Sequence, residues 1–182
     1  MVLQQKVMTA EEFEIFAQLP ENANRLLEFI GGRIVEVVSN GRSSELGAIM
    51  VGFLTNFVYP NKLGRVTGAD GGYRVMGERY IPDAAFISKK RQPVPSLEAY
   101  NPSPPDLAVE VLSPSNDESE MRKKIVNYLL AGTMVLVLDS DRKEVEIYAP
   151  GKSPLTVGMD GFIDGGDVLL GFQVAVKDIF IE

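Results

Sequence analysis

Two short segments near the middle of the chain are almost entirely apolar, and they constrain the fold more than any other feature. Residues 81–88 read Ile-Pro-Asp-Ala-Ala-Phe-Ile-Ser, and residues 106–112 read Asp-Leu-Ala-Val-Glu-Val-Leu. Near-continuous apolar runs of this length are typical of strands that are covered on both faces of a sheet. Each run nevertheless contains an acid within it, Asp83 in the first and Glu110 in the second. We therefore predict two buried strands that each carry a carboxylate.

Those two acids need a compensating charge. Burying an ionised carboxylate costs several kcal/mol unless a counter-charge or a metal ion lies beside it. Two carboxylates on neighbouring strands would also repel each other, and a divalent cation between them would relieve both penalties. The alternative interpretation is that each acid marks a strand end and points to solvent.

The composition restricts the chemistry that such a site could perform. The 182 residues include no histidine and no cysteine. Disulfides, thiolate zinc sites, cysteine nucleophiles, imidazole bases and Ser-His-Asp triads are therefore excluded. Any metal is expected to be a hard, oxygen-binding cation such as Mg²⁺ or Mn²⁺. The net charge of −7 counts against a general nucleic-acid binder, whose affinity depends on neutralising phosphates.

The rest of the pattern places helices and strands around the two apolar segments. A capping box that starts at Thr9 predicts a short helix, and Gly31-Gly32 separates two apolar runs as in a β-hairpin. Ser43 or Ser44 is expected to cap a second helix that ends near Tyr59. Further strands are expected at residues 65–67, 73–76, 134–139 and 144–149, and a further helix at residues 118–131. This order predicts one α/β or α+β domain over residues 1–182 with a mixed central sheet.

No segment of the sequence indicates a membrane or an exported protein. No apolar run approaches the ~20 residues that a membrane span needs. The N-terminus lacks a basic segment followed by an apolar core, so we expect no signal peptide. The expected location is the cytoplasm.

A lysine on the helix predicted for residues 118–131 could reach the acids. The apolar stripe of this helix consists of Met121, Ile125, Tyr128 and Leu129. At ~100° per residue, Lys124 flanks that stripe whereas Lys123 points to solvent. Lys124 can therefore extend towards the end of the sheet that bears Glu110. The alternative interpretation is a surface lysine at the border of the helix.

These residues resemble a known group of nucleases. Pro82-Asp83 followed by Glu110 resembles the PD-(D/E)xK superfamily of restriction-endonuclease-like proteins. The resemblance is closer to the Uma-two family of endonucleases, and it covers the chain from about residue 8 to the C-terminus. The segments that carry it are residues 27–35, 110–115, 124–132 and 164–172.

The resemblance implies a restriction-endonuclease-like αβββαβ core, here with an added N-terminal helix and β-hairpin, that hydrolyses phosphodiesters with Mg²⁺. Asp83 and Glu110 would hold the metal, helped by the carbonyl of Val111. Lys124 would orient or deprotonate the attacking water and stabilise the developing negative charge. In the superfamily's usual form the lysine lies two residues after the glutamate. That position is Leu112 here, so the helix has to supply the amine, as is typical of this family.

Two further acids match the family pattern more weakly. Glu45, near the start of the second helix, matches the superfamily's first-helix acid and could bind the metal through water. Glu28 matches a family glutamate, although its alternation with Leu26 and Ile30 in the hairpin also allows a structural part. A solvated acid is the alternative for both. Basic residues that could line a phosphate-facing groove around Asp83, or form a solvated face, are Arg65, Arg74, Arg79, Lys89, Lys90 and Arg91.

Three functions therefore remain open. The leading hypothesis is a Mg²⁺-dependent endonuclease that acts on DNA rather than RNA as a homodimer, since cutting both strands favours paired sites. The second is a nuclease-fold binding or assembly module without turnover, which the acidic net charge favours. The third is a metal-dependent hydrolase of small phosphoesters.

Overall fold

The structure is a computed structural model that describes residues 8–113 and 117–181. The helices are α1 (Ala10–Ala17), α2 (Gly41–Val58) and α3 (Glu118–Leu130). The strands are β1 (Leu27–Ile30), β2 (Arg33–Glu36), β3 (Gly64–Gly68), β4 (Gly72–Val75), β5 (Glu78–Tyr80), β6 (Ala84–Ser88), β7 (Tyr100–Asn101), β8 (Leu107–Val111), β9 (Met134–Asp139), β10 (Glu144–Tyr148), β11 (Leu155–Val157), β12 (Phe162–Asp164) and β13 (Gln173–Ala175). Among the described residues, no helix is both long enough and apolar enough to cross a membrane.

The two apolar segments form adjacent strands at the centre of a six-stranded sheet with the order β11-β10-β9-β8-β6-β3. Strands β8 and β9 are parallel and the other pairs are antiparallel, so the sheet is mixed. Val109 faces the side covered by α2, whereas Ala108 faces the side covered by α3. The prediction of strands buried on both faces is confirmed, because a helix packs on each side of β8.

The order α2, β3, β6, β8, α3, β9 reproduces the expected αβββαβ core. The connection from β8 through α3 to β9 is a crossover between neighbouring parallel strands, which places α3 over one face of the sheet. The restriction-endonuclease-like fold class is therefore confirmed.

The N-terminal hairpin belongs to a second sheet with the order β2-β1-β5-β4-β7. Phe29 of β1 pairs with Arg79 of β5, which connects the hairpin to residues that precede Asp83. The strands predicted near residues 65–67 and 73–76 are confirmed as β3 and β4, which belong to different sheets. The chain changes sheets at the glycines, and Gly72 packs so closely on the Tyr100 ring that a Cβ there would lie 2.6 Å from it.

Local sequence signals account for most of the element ends. The capping box at Thr9 is present, and Gly31 and Gly32 have φ values of 59° and 81°, as a tight hairpin turn requires. The cap predicted for α2 was wrong, since the helix begins earlier. The cap is Asn40, whose side chain accepts a hydrogen bond of 2.9 Å from the Ser43 N–H.

Candidate active site

A cleft of about 210 Å³ contains the acids and the lysine singled out by the sequence. Its walls come from β1, β2 and residues 37–39, from the start of α2, from residues 81–83, from the end of β8 and from the first turns of α3. Elements of both sheets therefore contribute to the same cleft.

The centre of the cleft is a chain of three charged side chains that are almost fully buried. Lys124 Nζ lies 2.7 Å from Glu110 Oε2 and 2.9 Å from Glu28 Oε1. The exposed fractions of Glu28, Glu110 and Lys124 are 5%, 4% and 6%. Leu112, the residue two positions after Glu110, packs in the apolar cluster beneath α3. The helix that covers this face of the sheet therefore supplies the amine.

Asp83 lies immediately before β6 and beside the end of β8. The Val111 N–H donates a hydrogen bond of 2.7 Å to Asp83 Oδ2, which fixes the carboxylate next to the strand that carries Glu110. Helix α2 approaches from the other side, where a Cβ on Gly47 would lie 3.4 Å from the Asp83 Cβ. Since a carboxylate has about four lone-pair sites, this hydrogen bond leaves Asp83 able to bind a cation.

Tyr128, one helical turn after Lys124, fixes the other oxygen of Glu110. Its buried hydroxyl donates a hydrogen bond of 3.0 Å to Glu110 Oε1. The Tyr128 ring packs edge-on against Tyr80, and Tyr80 accepts a hydrogen bond of 2.7 Å from Asn127. The sequence had placed Tyr128 in the apolar stripe and in the segment 124–132 that carries the family resemblance, without a role of its own. Its position four residues after Lys124 on the same helix face was the signal for a polar role.

Replacing Tyr128 with phenylalanine is expected to destabilise the protein by about 1–3 kcal/mol, because a buried charged acceptor loses its donor. Urea unfolding at pH 8 measures this change. Tyr59→Phe is the matched control, since Tyr59 is exposed and should change the free energy of unfolding by less than about 0.5 kcal/mol. Equal stabilities of the two variants would contradict the assigned hydrogen bond.

Burial determines the protonation equilibria of the cleft. It raises the pKa of Glu110 to about 8, although the Lys124 ammonium acts in the opposite direction. Burial also raises the pKa of Asp83, and the Val111 hydrogen bond only partly offsets this. For Lys124, burial would lower the pKa, but the charges of Glu110 and Glu28 outweigh it and raise the pKa above its ordinary value. The lysine is therefore an ammonium ion at neutral pH.

The donor set of the cleft fits a hard divalent cation. Among the described residues, Glu28 and Glu110 contact the Lys124 ammonium and Asp83 lines the same cleft, so these three carboxylates outweigh the charge of Lys124 when all are ionised. Carboxylate oxygens are the ligands that Mg²⁺ and Mn²⁺ prefer. No three acids within residues 8–113 and 117–181 already converge as a metal-ligating group. Glu28, Asp83 and Glu110 all line the cleft, and none of them belongs to such a group.

Glu45 lies outside this cleft. Its carboxylate lies 2.7 Å from Arg42 on a half-exposed part of α2. Ser43 and Gly47, four residues apart and so on one face of the helix, are the residues directed towards the cleft and Asp83. Glu45 falls between them in sequence and therefore on the opposite side of the helix.

The predicted basic groove around Asp83 was wrong, since none of its members lines the cleft. Arg74 and Arg79 bind Glu14 of α1. Arg65 donates to backbone carbonyls, and Arg91 pairs with Asp106. These arginines bind carboxylates and backbone carbonyls of the protein itself, and so they hold loops and α1 in place. Part of the predicted motif at residues 110–115, namely residues 114 and 115, lies outside the described residues.

The core topology and the cleft define a restriction-endonuclease-like protein. The chain belongs to the Uma2 family, described as "Putative restriction endonuclease", whose family model matches residues 11–177. A similar solved structure is a protein from Anabaena variabilis ATCC 29413, described as "a putative nuclease belonging to DUF820". The two are 23% identical over 95% of this chain and 97% of that one, with a TM-score of 0.82, which shows a common fold. A comparison with curated proteins gave no match.

Proposed function

We propose that this protein is a Mg²⁺-dependent endonuclease that hydrolyses phosphodiester bonds of DNA. The observation that carries the proposal is the buried contact of 2.7 Å between Lys124 Nζ and Glu110 Oε2, in a cleft that also contains Asp83. A lysine amine beside two carboxylates is the combination that phosphodiester hydrolysis in this superfamily uses. Family membership supports the same reaction class.

Each residue of the cleft then has a distinct part. Asp83 and Glu110 would hold the cation together with the carbonyl of Val111. The bound cation would polarise the scissile phosphate and lower the pKa of a bound water. Lys124 is protonated at neutral pH, which suits it to orient the water through hydrogen bonds and to stabilise negative charge on the phosphorane.

The charge of the cleft supports a requirement for metal before substrate binds. Further acids that line it are Glu36, Asp117 and Glu120. Arg25 pairs with Glu36 and Arg33 pairs with Glu120, which partly neutralises the negative charge of these acids. A phosphodiester would be repelled by such a cleft until a divalent cation neutralised the central carboxylates. We therefore expect no DNA binding at the cleft without metal.

Cleavage of supercoiled plasmid with Mg²⁺ or Mn²⁺ tests the proposal. We expect cleavage by the wild type and by Asp160→Asn, whose exposed carboxylate lies outside the cleft, and background cleavage by Asp83→Asn. Linear product without accumulation of nicked circles would indicate paired sites, as expected for a homodimer. No cleavage of DNA or RNA by the wild type, or equal cleavage by Asp83→Asn, would contradict the proposal.

A binding module without turnover is the second candidate, favoured by the net charge of −7 and by the engagement of Lys124 with two carboxylates. Calorimetric titration with Mn²⁺ separates the two functions. A nuclease should bind Mn²⁺ and lose that binding in Glu110→Gln, whereas an inert module should bind no Mn²⁺ in either form. Turnover of small phosphoesters without cleavage of nucleic acids would instead favour the hydrolase alternative.

A further inference from the structure

The lysine of this cleft has a second acidic partner that comes from outside the αβββαβ core. Glu28 lies on β1 in the N-terminal hairpin, and its Oε1 accepts a hydrogen bond of 2.9 Å from Lys124. All four residues of β1 are buried, which differs from the expected alternation around Glu28. The structure thus places a carboxylate of the added sheet against the amine of the core helix.

Glu28 is itself held by the backbone. The same Oε1 accepts a hydrogen bond of 2.6 Å from the Ile81 N–H, two residues before Asp83. Backbone N–H groups do not change rotamer, so this contact fixes the carboxylate independently of Lys124. One oxygen therefore connects the segment that carries Asp83 with the amine on α3.

A lysine side chain needs more than one contact to hold its ammonium in one position. Its four methylene groups allow many rotamers, and one ion pair does not select a single position for the ammonium. Glu110 alone provides a single oxygen for Lys124, and that carboxylate is also a proposed cation ligand. A cation held by Glu110 would repel the ammonium, whereas the Glu28 carboxylate would retain it.

We propose that Glu28 is a positioning residue that holds the Lys124 amine in place for phosphodiester hydrolysis, without binding the metal. The proposal rests on the proposed nuclease function. Glu28 Oε1 already accepts two hydrogen bonds, one from the Ile81 N–H and one from Lys124. Glu28 also belongs to the added sheet, whereas Glu110 lies in the core sheet and Asp83 immediately precedes a core strand.

The variants Glu28→Gln and Glu28→Leu test this part, with Glu78→Gln as the matched control. Glu78 accepts hydrogen bonds from the Gly31 N–H in the same sheet, so its change perturbs the hairpin without touching Lys124. For Glu28→Gln we expect kcat to fall by about 100-fold with KM and the Kd for Mn²⁺ within about twofold, as for a misplaced catalytic group. Glu28→Leu should be lower still, because glutamine keeps an acceptor for Lys124 and leucine does not.

The position of the amine has a readout that does not depend on activity. The ¹⁵Nζ resonance of Lys124, identified by its loss in Lys124→Arg, should be sharp in the wild type and in Glu78→Gln. It should broaden in Glu28→Gln, since the ammonium then loses a charged acceptor and exchanges faster with solvent.

An unchanged resonance, or a kcat within about twofold of the wild type, would overturn the proposal. Loss of Mn²⁺ affinity in Glu28→Gln would overturn it too, by making Glu28 a metal ligand. If the wild type cleaves nothing, the nuclease function fails, while the resonance still reports whether Glu28 holds the amine.

Discussion

Replacing Lys124 with methionine is expected to destabilise the folded protein by about 3–5 kcal/mol at pH 8, because breaking a buried ion pair leaves uncompensated charge. Methionine fills a similar volume, so the loss arises from charge more than from packing. Glu28 and Glu110 would then face each other at 5% and 4% exposure without the cation that separates them. Urea unfolding measures the change in the free energy of unfolding.

The loss of stability in Lys124→Met should depend on pH, because it changes the proton equilibrium of Glu110. Burial raises the pKa of Glu110 from 4.5 to about 8 even with Lys124 present, so the folded state binds this proton more tightly than the unfolded state. Such a group contributes fully to the free energy of unfolding below its pKa in the unfolded state. This contribution is lost as pH rises through its pKa in the folded state. Removing Lys124 raises the pKa of Glu110 further. The two proteins therefore differ in the proton held by Glu110 only above about pH 8, and the deficit of the variant should be larger at pH 9 than at pH 7.

Lys123→Met is the matched control, since Lys123 is the preceding residue on α3 and is exposed. Its free energy of unfolding should stay within about 0.5 kcal/mol of the wild type at both pH values. Equal losses for the two lysine variants, or a Lys124→Met deficit that does not grow between pH 7 and pH 9, would contradict the buried charge arrangement.

Replacing Gly64 with alanine is expected to destabilise the protein by about 3 kcal/mol, at the upper end of overpacking effects. A Cβ at this position would lie 2.0 Å from the backbone oxygen of Ile87 in the neighbouring strand. A backbone atom in a paired strand cannot rotate away, so β3 would have to move from β6. The expected fall in the melting temperature is roughly 6–12 °C for a domain of this size.

Replacing Gly52 with alanine is expected to stabilise the protein, in contrast to Gly64→Ala. Gly52 lies within α2, and no atom outside its own helix lies within 4 Å of a Cβ built there. Alanine is the better helix former, so this variant should gain about 0.5–1 kcal/mol. Differential scanning calorimetry compares the two variants directly. A Gly64→Ala variant as stable as Gly52→Ala would show that β3 does not pack against β6 in this register.

Much of the fold could be predicted because its signals are local. The apolar runs around Asp83 and Glu110 indicated strands covered on both faces, and the position of Lys124 beside the stripe of α3 indicated a side chain directed at the sheet. Both features follow from spacing within a single element. The structure brings these three residues into one cleft.

What could not be predicted depends on pairing between distant segments. The contact of β1 with β5, which makes the hairpin part of a second sheet, joins residues whose local patterns contain no information about each other. The contact of Glu28 with Lys124 could not be predicted for the same reason. The arginines were misassigned because a sequence shows a positive charge but not the Glu14 or Asp106 carboxylate that neutralises it.

The contact between Glu28 and Lys124 spans 96 residues of chain. Closing a loop of that length carries an entropic cost that is recovered only when both sheets are in place. The cleft is therefore expected to be among the last parts of the molecule to form during folding. A growing chain that has passed Glu110 but not yet α3 would hold its acids without the lysine. Synthesis order thus delays a complete hydrolytic centre until the central sheet can close around it.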